Sequence, residues 1–255
     1  MPSYTEQTIS EINKYISFIL ELKVRNEKNG NKADLLFRGQ DIDRPLLPKI
    51  ARLTLKGSDT MNIEKLMLTE FKRGIPPLAE FKLESNLNWD LLALAQHHGL
   101  PTRLLDWTYS ALVALWFTVK SPPQKDSSGN FENGVVWVLS ALKEDFRTDT
   151  ETIDPLSNKI TKIFRPSVVT RRISAQAGVF TVHKINANNQ IIRFETHKDF
   201  AHKLSKILIP HSQFAAIRKQ LHILGVNSST VFPYLDGYGK HLEWRYSYYS
   251  DELTK

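Results

Sequence analysis

Gln96-His97-His98-Gly99-Leu100-Pro101-Thr102-Arg103-Leu104-Leu105-Asp106-Trp107-Thr108, followed by the apolar run Ala111 to Val119, holds a helix end, a stop, an extended segment and a second helix in quick succession. Asn88 has the chemistry of an N-cap for a helix reaching His98, with Leu91, Leu92 and Ala95 as its buried face. Gly99 stands where a glycine ends a helix, and Pro101 blocks its continuation. Thr102 to Thr108 is too short and too punctuated for a helix and reads as extended. Thr108 or Ser110 can cap the next helix, which is apolar almost all round and so belongs at the centre of the molecule.

Working outward, residues 3–24 read as an amphipathic helix. Ile9, Ile12, Ile16, Ile19 and Leu20 recur at helical spacing, and Ser3 with Glu6 has capping-box spacing. Asn29-Gly30-Asn31 is a turn, and Leu35-Leu36-Phe37-Arg38-Gly39 a short strand. Pro45 and Pro48 keep the next stretch out of regular structure; residues 60–73 are helical, closed by Pro76-Pro77. Beyond the central helix, residues 121–134 form a loop and Val135 to Leu139 a strand, while residues 143–166 have only weak periodicity and take no assignment. Val179 to Ile185 and Gln190 to Phe194 are expected to pair as a hairpin across 186–189. Lys206 to Ile209 is a strand, a helix opens at Ser212 and closes at Gly225, and Thr230 to Phe232 is a last strand. There is no internal repeat and no linker long enough to separate two domains. The expectation is one α+β domain with a mixed, mostly antiparallel sheet and packed helices.

The chain has 255 residues, 41% hydrophobic and 24% charged, which is enough to bury a core without staples. It has 0 cysteines, so disulfides and thiolate metal sites are excluded, and a cytoplasmic protein is expected. Residues 1–24 do not resemble a signal peptide, and the longest apolar stretch is far short of the roughly 20 residues of a membrane span. No membrane partner is expected. The net charge of +7 has two readings: a solvated basic surface, or a polyanion partner such as nucleic acid or a phosphate-bearing ligand.

Polar and ionisable groups crowd the stretch from Gln96 to Thr108. Buried without partners they would be costly. They therefore either satisfy one another, Arg103 pairing with Asp106, or converge on a pocket. His97 and His98 are neighbours on a helix and point about 100° apart, which argues against one shared metal ion. Arg38 ends a strand. It pairs with a carboxylate such as Asp41 or Asp106, or serves as an anion hook, its planar fork suiting phosphate. Gly39 beside it would let a ligand approach the backbone.

Phe37-Arg38-Gly39, the block from Gln96 to Thr108, Arg172 with Gln176 and Gly178-Val179-Phe180, Lys206 to Pro210 and Val231 to Gly237 together resemble the FRG domain family, over about residues 30–240. Tyr234 departs from an often acidic position. The resemblance divides the chain into an N-terminal helix (1–29), an FRG domain (30–245) and a C-terminal tail (246–255). It implies a setting among bacterial or phage-associated accessory and defence proteins.

A strand-borne aromatic-Arg-Gly is also similar to the opening of the arginine class of ADP-ribosyltransferases. That similarity implies NAD as a substrate rather than a resident cofactor, Arg38 gripping its phosphates or ribose, and Thr102 or Thr108 in the second position. The terminal glutamate has no counterpart: neither Glu-x-Glu nor Gln-x-Glu occurs near the C-terminus, and Glu195 and Glu243 lie in no motif. Asp106 substitutes if folding sets it opposite Arg38. The resulting site has Arg38, Asp106 and Thr108 as catalytic groups, with Gly39, Gln40, Gln96, His98, Thr102, Arg103 and Gln176 binding the ligand. Arg103 is a second anion-binding group, Gln96 and Gln176 are neutral hydrogen-bonding groups, and no metal is expected.

Two other classes compete. A nucleic-acid-binding module would draw on the charge and on Trp89, Trp107, Trp116, Trp137 and Trp244, with Trp116 and Trp137 expected in the core. A metal-dependent nuclease would use Glu80-Phe81-Lys82. No serine-hydrolase elbow, P-loop or dinucleotide glycine fingerprint occurs.

Overall fold

The computed structural model describes residues 4–30, 32–57, 59–75, 88–150, 152–166 and 175–253. Seven strands form one sheet: β1 (Thr5–Thr8), β2 (Asp34–Gln40), β3 (Leu104–Thr108), β4 (Gly134–Ala141), β5 (Lys162–Phe164), β6 (Gly178–Val182) and β7 (Leu204–Ile209). Their spatial order is β1-β7-β4-β2-β3-β6-β5. Among these seven strands only β1 and β7 pair in parallel; the other pairs are antiparallel. The helices described are α1 (Ile12–Lys28), α2 (Thr60–Gly74), α3 (Asn88–His97), α4 (Ala111–Val119), α5 (Phe214–Ile223), α6 (Ser228–Val231) and α7 (Leu235–Tyr246). The expected α+β domain with a mixed, mostly antiparallel sheet is what forms. No helix among the described residues is long and apolar enough to cross a membrane.

The central block folds as its local signals dictate. Gly99 adopts φ +87, and the Leu100 N–H reaches Ala95 O (2.9 Å) while the Gly99 N–H reaches Gln96 O (3.0 Å), a glycine-terminated helix end. Ser110 caps α4, its Oγ accepting from Val113 N (3.3 Å). Ala114, Leu115 and Val119 are fully buried between the sheet and α1 and α5, in a core with Phe37, Val136, Val138 and Phe214. Leu36, Leu105, Trp107 and Trp137 pack in a second core with Phe194 and Phe200. A third lies under α2 and α3 around Leu104, Phe164 and Phe180.

Three expectations change. The first helix starts at Ile12, because Thr5–Thr8 pairs with β7 and covers a buried strand whose edge would otherwise be open. Glu6 sits in that strand and bonds Lys206 (2.9 Å); Ser3 lies outside the described residues. The hairpin after Val179 shrinks to one bridge, Ile185↔Ile191, since β6 already pairs with β3 on one edge and β5 on the other. Phe194 instead enters the core against Trp107 and Phe200. The strand expected at Thr230 is part of α6: Asn227 Oδ1 accepts from Ser229 N and Thr230 N, and Thr230 Oγ1 accepts from Asn227 N, a reciprocal capping box. Pro76-Pro77 falls outside the described residues.

Candidate functional site

β2 and β4 pair at every position from Asp34↔Ala141 to Gln40↔Val135. β2 and β3 meet at one pair, Phe37↔Thr108. The two arms of the sheet diverge beyond that pair, and a cleft of about 630 Å³ opens there. Its walls are Phe37, Arg38 and Gly39 of β2, Asp106, Trp107 and Thr108 of β3, Gln96, His97 and His98 at the end of α3, and Phe117 of α4; Gln176, Gly178 and Phe180 complete it.

Arg38 lies across the divergence. Its Nη1 donates to Asp106 O (2.7 Å), a carbonyl on the edge from which β2 has turned away, and stands 3.6 Å from Asp106 Oδ2. The Arg38 side chain is 18% exposed and that of Asp106 57%, so the cation is backed by protein while the carboxylate faces the cleft. Arg38 Nε is buried with no hydrogen-bond partner among the described residues. Burial lowers the basicity of the guanidinium; Asp106 opposes that, and Arg52 adds to it.

A relay of neutral groups fixes Asp106. The Leu104 N–H donates to Thr102 Oγ1 (3.1 Å), Thr102 Oγ1 donates to Gln96 Oε1 (2.7 Å), and Gln96 Nε2 donates to Asp106 Oδ2 (3.1 Å). Thr102 is fully buried and reaches the cleft only through Gln96, which binds Asp106. Thr108 is likewise engaged: its hydroxyl donates to Gln176 O and accepts from Ser110 N (3.0 Å). Thr108 therefore tethers the Gln176 backbone and the start of α4. His98 is exposed on the cleft rim.

Arg103 is the main departure from expectation. It is fully buried and pairs with Glu64 of α2, not with Asp106: Glu64 accepts from Arg103 Nε (2.6 Å) and from Arg103 N (2.7 Å). A guanidinium held there is a structural tie between α2 and β3 and offers nothing to a ligand. Gly39 also has another reason to be glycine. A Cβ there would lie 1.8 Å from Ala114 O, so it is the packing of α4 on β2 that excludes a side chain. Gln40 faces a smaller recess beside the cleft, and its Oε1 accepts from Trp137 Nε1 (3.2 Å). Glu195 and Glu243 are not in the cleft; Glu195 accepts from Leu46 N (3.0 Å). Arg172 and Glu80-Phe81-Lys82 lie outside the described residues. Trp89, Trp116 and Trp137 are buried away from the cleft, which withdraws them as stacking surfaces for bases; Trp107 is buried as well but borders the cleft.

The recess measures about 170 Å³ and shares Arg38, Gly39 and Phe117 with the cleft. Arg44, Arg52 and Lys120 line it as well, a cluster that sequence reading misses because Lys120 stands far along the chain from Arg44 and Arg52.

Cleft and recess are built mainly by β2, β3 and α4, and it is this part of the chain that compares with known proteins. Residues 33–127 match the FRG domain. No curated protein and no solved structure matches the chain. The FRG match spans β2 through α4. It contains Arg38, Gly39, Gln40, Gln96, His98, Thr102, Arg103, Asp106 and Thr108, whereas Gln176 lies beyond it.

Proposed function

We propose that the cleft binds a nucleotide, with NAD as the candidate, and that Asp106 supports hydrolysis or transfer of its ADP-ribose. The observation that carries this reading is the approach of an exposed carboxylate, Asp106, to a backed guanidinium, Arg38, in one cleft. ADP-ribose chemistry needs an anion beside the ribosyl carbon as it becomes cationic, and Asp106 is such a group. In hydrolysis the bond from ribose C1′ to nicotinamide nitrogen breaks, and nicotinamide leaves with the electron pair. A water oxygen bonds C1′, and its proton passes to Asp106 and then to solvent. Arg38 binds and orients the anionic part of the substrate, and Gln96 holds Asp106 in place. In the setting that the FRG resemblance implies, the protein acts in the cytoplasm as a bacterial or phage-associated defence effector.

The test is nicotinamide release from NAD by wild type, Arg38→Ala and Asp106→Asn. Release by wild type that is lost in both folded variants supports the assignment. Wild type that binds NAD without releasing nicotinamide has a binding cleft only. The alternative, a nucleic-acid-binding accessory protein without catalysis, rests on the net charge of +7. It predicts single-stranded DNA binding that weakens steeply with salt.

A further inference from the structure

The recess beside the cleft concentrates positive charge. Arg38, Arg44, Arg52 and Lys120 line it together with one carboxylate, Asp41. Four cations line about 170 Å³ with one carboxylate, and Asp106 stands 3.6 Å from Arg38 on the cleft side, so an excess of two positive charges remains. Asp41 is already engaged, accepting from Gln124 Nε2 (2.7 Å) and standing 3.9 Å from Arg44. Among the described residues neither Arg52 nor Lys120 makes an ion pair or a side-chain hydrogen bond, so both are available to a ligand. Like charges gathered this closely repel one another unless an anion joins them. Lys120 follows the last turn of α4, whose carbonyl end disfavours anions, but there Val119 O already accepts from Arg218 Nε (2.8 Å).

A single carboxylate needs one guanidinium. Several cations lining one small recess suit a group with more than one negative charge. The recess shares Arg38, Gly39 and Phe117 with the cleft, which sets the two side by side for one ligand. Phe37, Trp107, Phe117 and Phe180 give the cleft the aromatic walls that the recess, apart from Phe117, lacks.

We infer that the recess is a phosphoanhydride subsite: Arg44, Arg52 and Lys120, with Arg38, hold the pyrophosphate of the ligand while the remainder of the nucleotide lies in the aromatic cleft. The inference rests on the nucleotide reading of that cleft and adds the substrate class, an ester with two or more linked phosphates. Arg44, Arg52 and Lys120 are specificity-determining residues that touch neither Asp106 nor the bond that breaks.

The probe is inorganic pyrophosphate, titrated into the full chain by calorimetry, with adenosine and NAD in parallel titrations. Arg52→Ala and Lys120→Ala, both at solvent-reached positions, are compared with wild type after their folding is checked by circular dichroism. Each variant is expected to weaken pyrophosphate binding by about tenfold. Each should raise the Kd, or the KM, for NAD by a similar factor and leave adenosine binding and kcat unchanged. Pyrophosphate that does not bind wild type, or binds both variants as tightly, overturns the subsite. Nicotinamide release with a KM indifferent to Arg52 and Lys120 also overturns it while the catalytic reading stands. Pyrophosphate binding that depends on both residues, in a protein that releases no nicotinamide, upholds the subsite and removes only the catalysis.

Discussion

Arg38 and Asp106 lie within 3.6 Å of each other although their strands meet at one register pair, Phe37↔Thr108. The guanidinium reaches across the gap to the Asp106 carbonyl as well as to its carboxylate, so one side chain bridges the two arms of the sheet. Cleft, carboxylate and cation are thus consequences of the same divergence.

The carboxylate is the group on which catalysis should depend most. Asp106→Asn keeps the shape and, being exposed, the fold. Loss of its charge is expected to cut nicotinamide release by about 100-fold or more. Gln96→Ala frees the carboxylate and should cost about tenfold in kcat. Steady-state kinetics on folded protein checks both, and undiminished release by Asp106→Asn removes the residue from the mechanism.

Arg103 should behave as a structural residue. It and Glu64 are both fully buried, and deleting one leaves the other charge unpaired. Arg103→Ala or Glu64→Ala is expected to cost about 3–5 kcal/mol in denaturant unfolding. Arg38→Ala leaves behind an Asp106 carboxylate that is 57% exposed and so still solvated, and should cost far less, so the two arginines separate by unfolding midpoint.

Gly39→Ala places a methyl carbon against Ala114 O and Thr118 Oγ1. Either β2 or α4 must shift, at a cost of about 1–3 kcal/mol or more. Thermal melts compare it with wild type, and an unchanged Tm contradicts the packing.

His183 gives a pH dependence. Burial, reinforced by His197 and Arg38, pushes its imidazole down to about 3. Its folded value lies below the unfolded one, so the unfolded chain binds the extra proton between them. Stability from this group is intact above about pH 6.5 and is lost as pH falls from there toward 3. The limiting slope is about 1.4 kcal/mol per pH unit. His183→Gln should flatten that part of the stability profile, and an equally steep profile refutes the assignment.

The last residues matter for stability. Arg218, nearly buried, donates to Asp251 and Glu252, and Trp244 Nε1 also donates to Glu252 (3.0 Å). Ending the chain after Tyr249 strands that guanidinium and is expected to destabilise the fold by about 3–5 kcal/mol. Unfolding of the shortened chain by urea measures it.

Much of the fold was legible from residues close together in the chain. Gly99 and Pro101 end α3, Ser110 caps α4, and the apolar run Ala111–Val119 needs a core on every side; each signal acts within a few residues. The same block, with Phe37-Arg38-Gly39, carried the FRG resemblance, and its polar side chains marked where a site would lie. Other features depend on partners far away. Thr5–Thr8 is a strand because β7 offers an edge, and the helix at Ser228 wins over a strand because Asn227 and Thr230 cap each other. Arg103 looked like Arg38 in the sequence, two arginines among polar neighbours. Glu64, 39 residues upstream, buries one of them, and the separation of β2 from β3 leaves the other in a cleft with Asp106. Local sequence specifies backbone conformation through caps, breakers and apolar spacing. Which charge is neutralised and which stays available is decided by long-range pairing and burial, and only the folded chain brings those together.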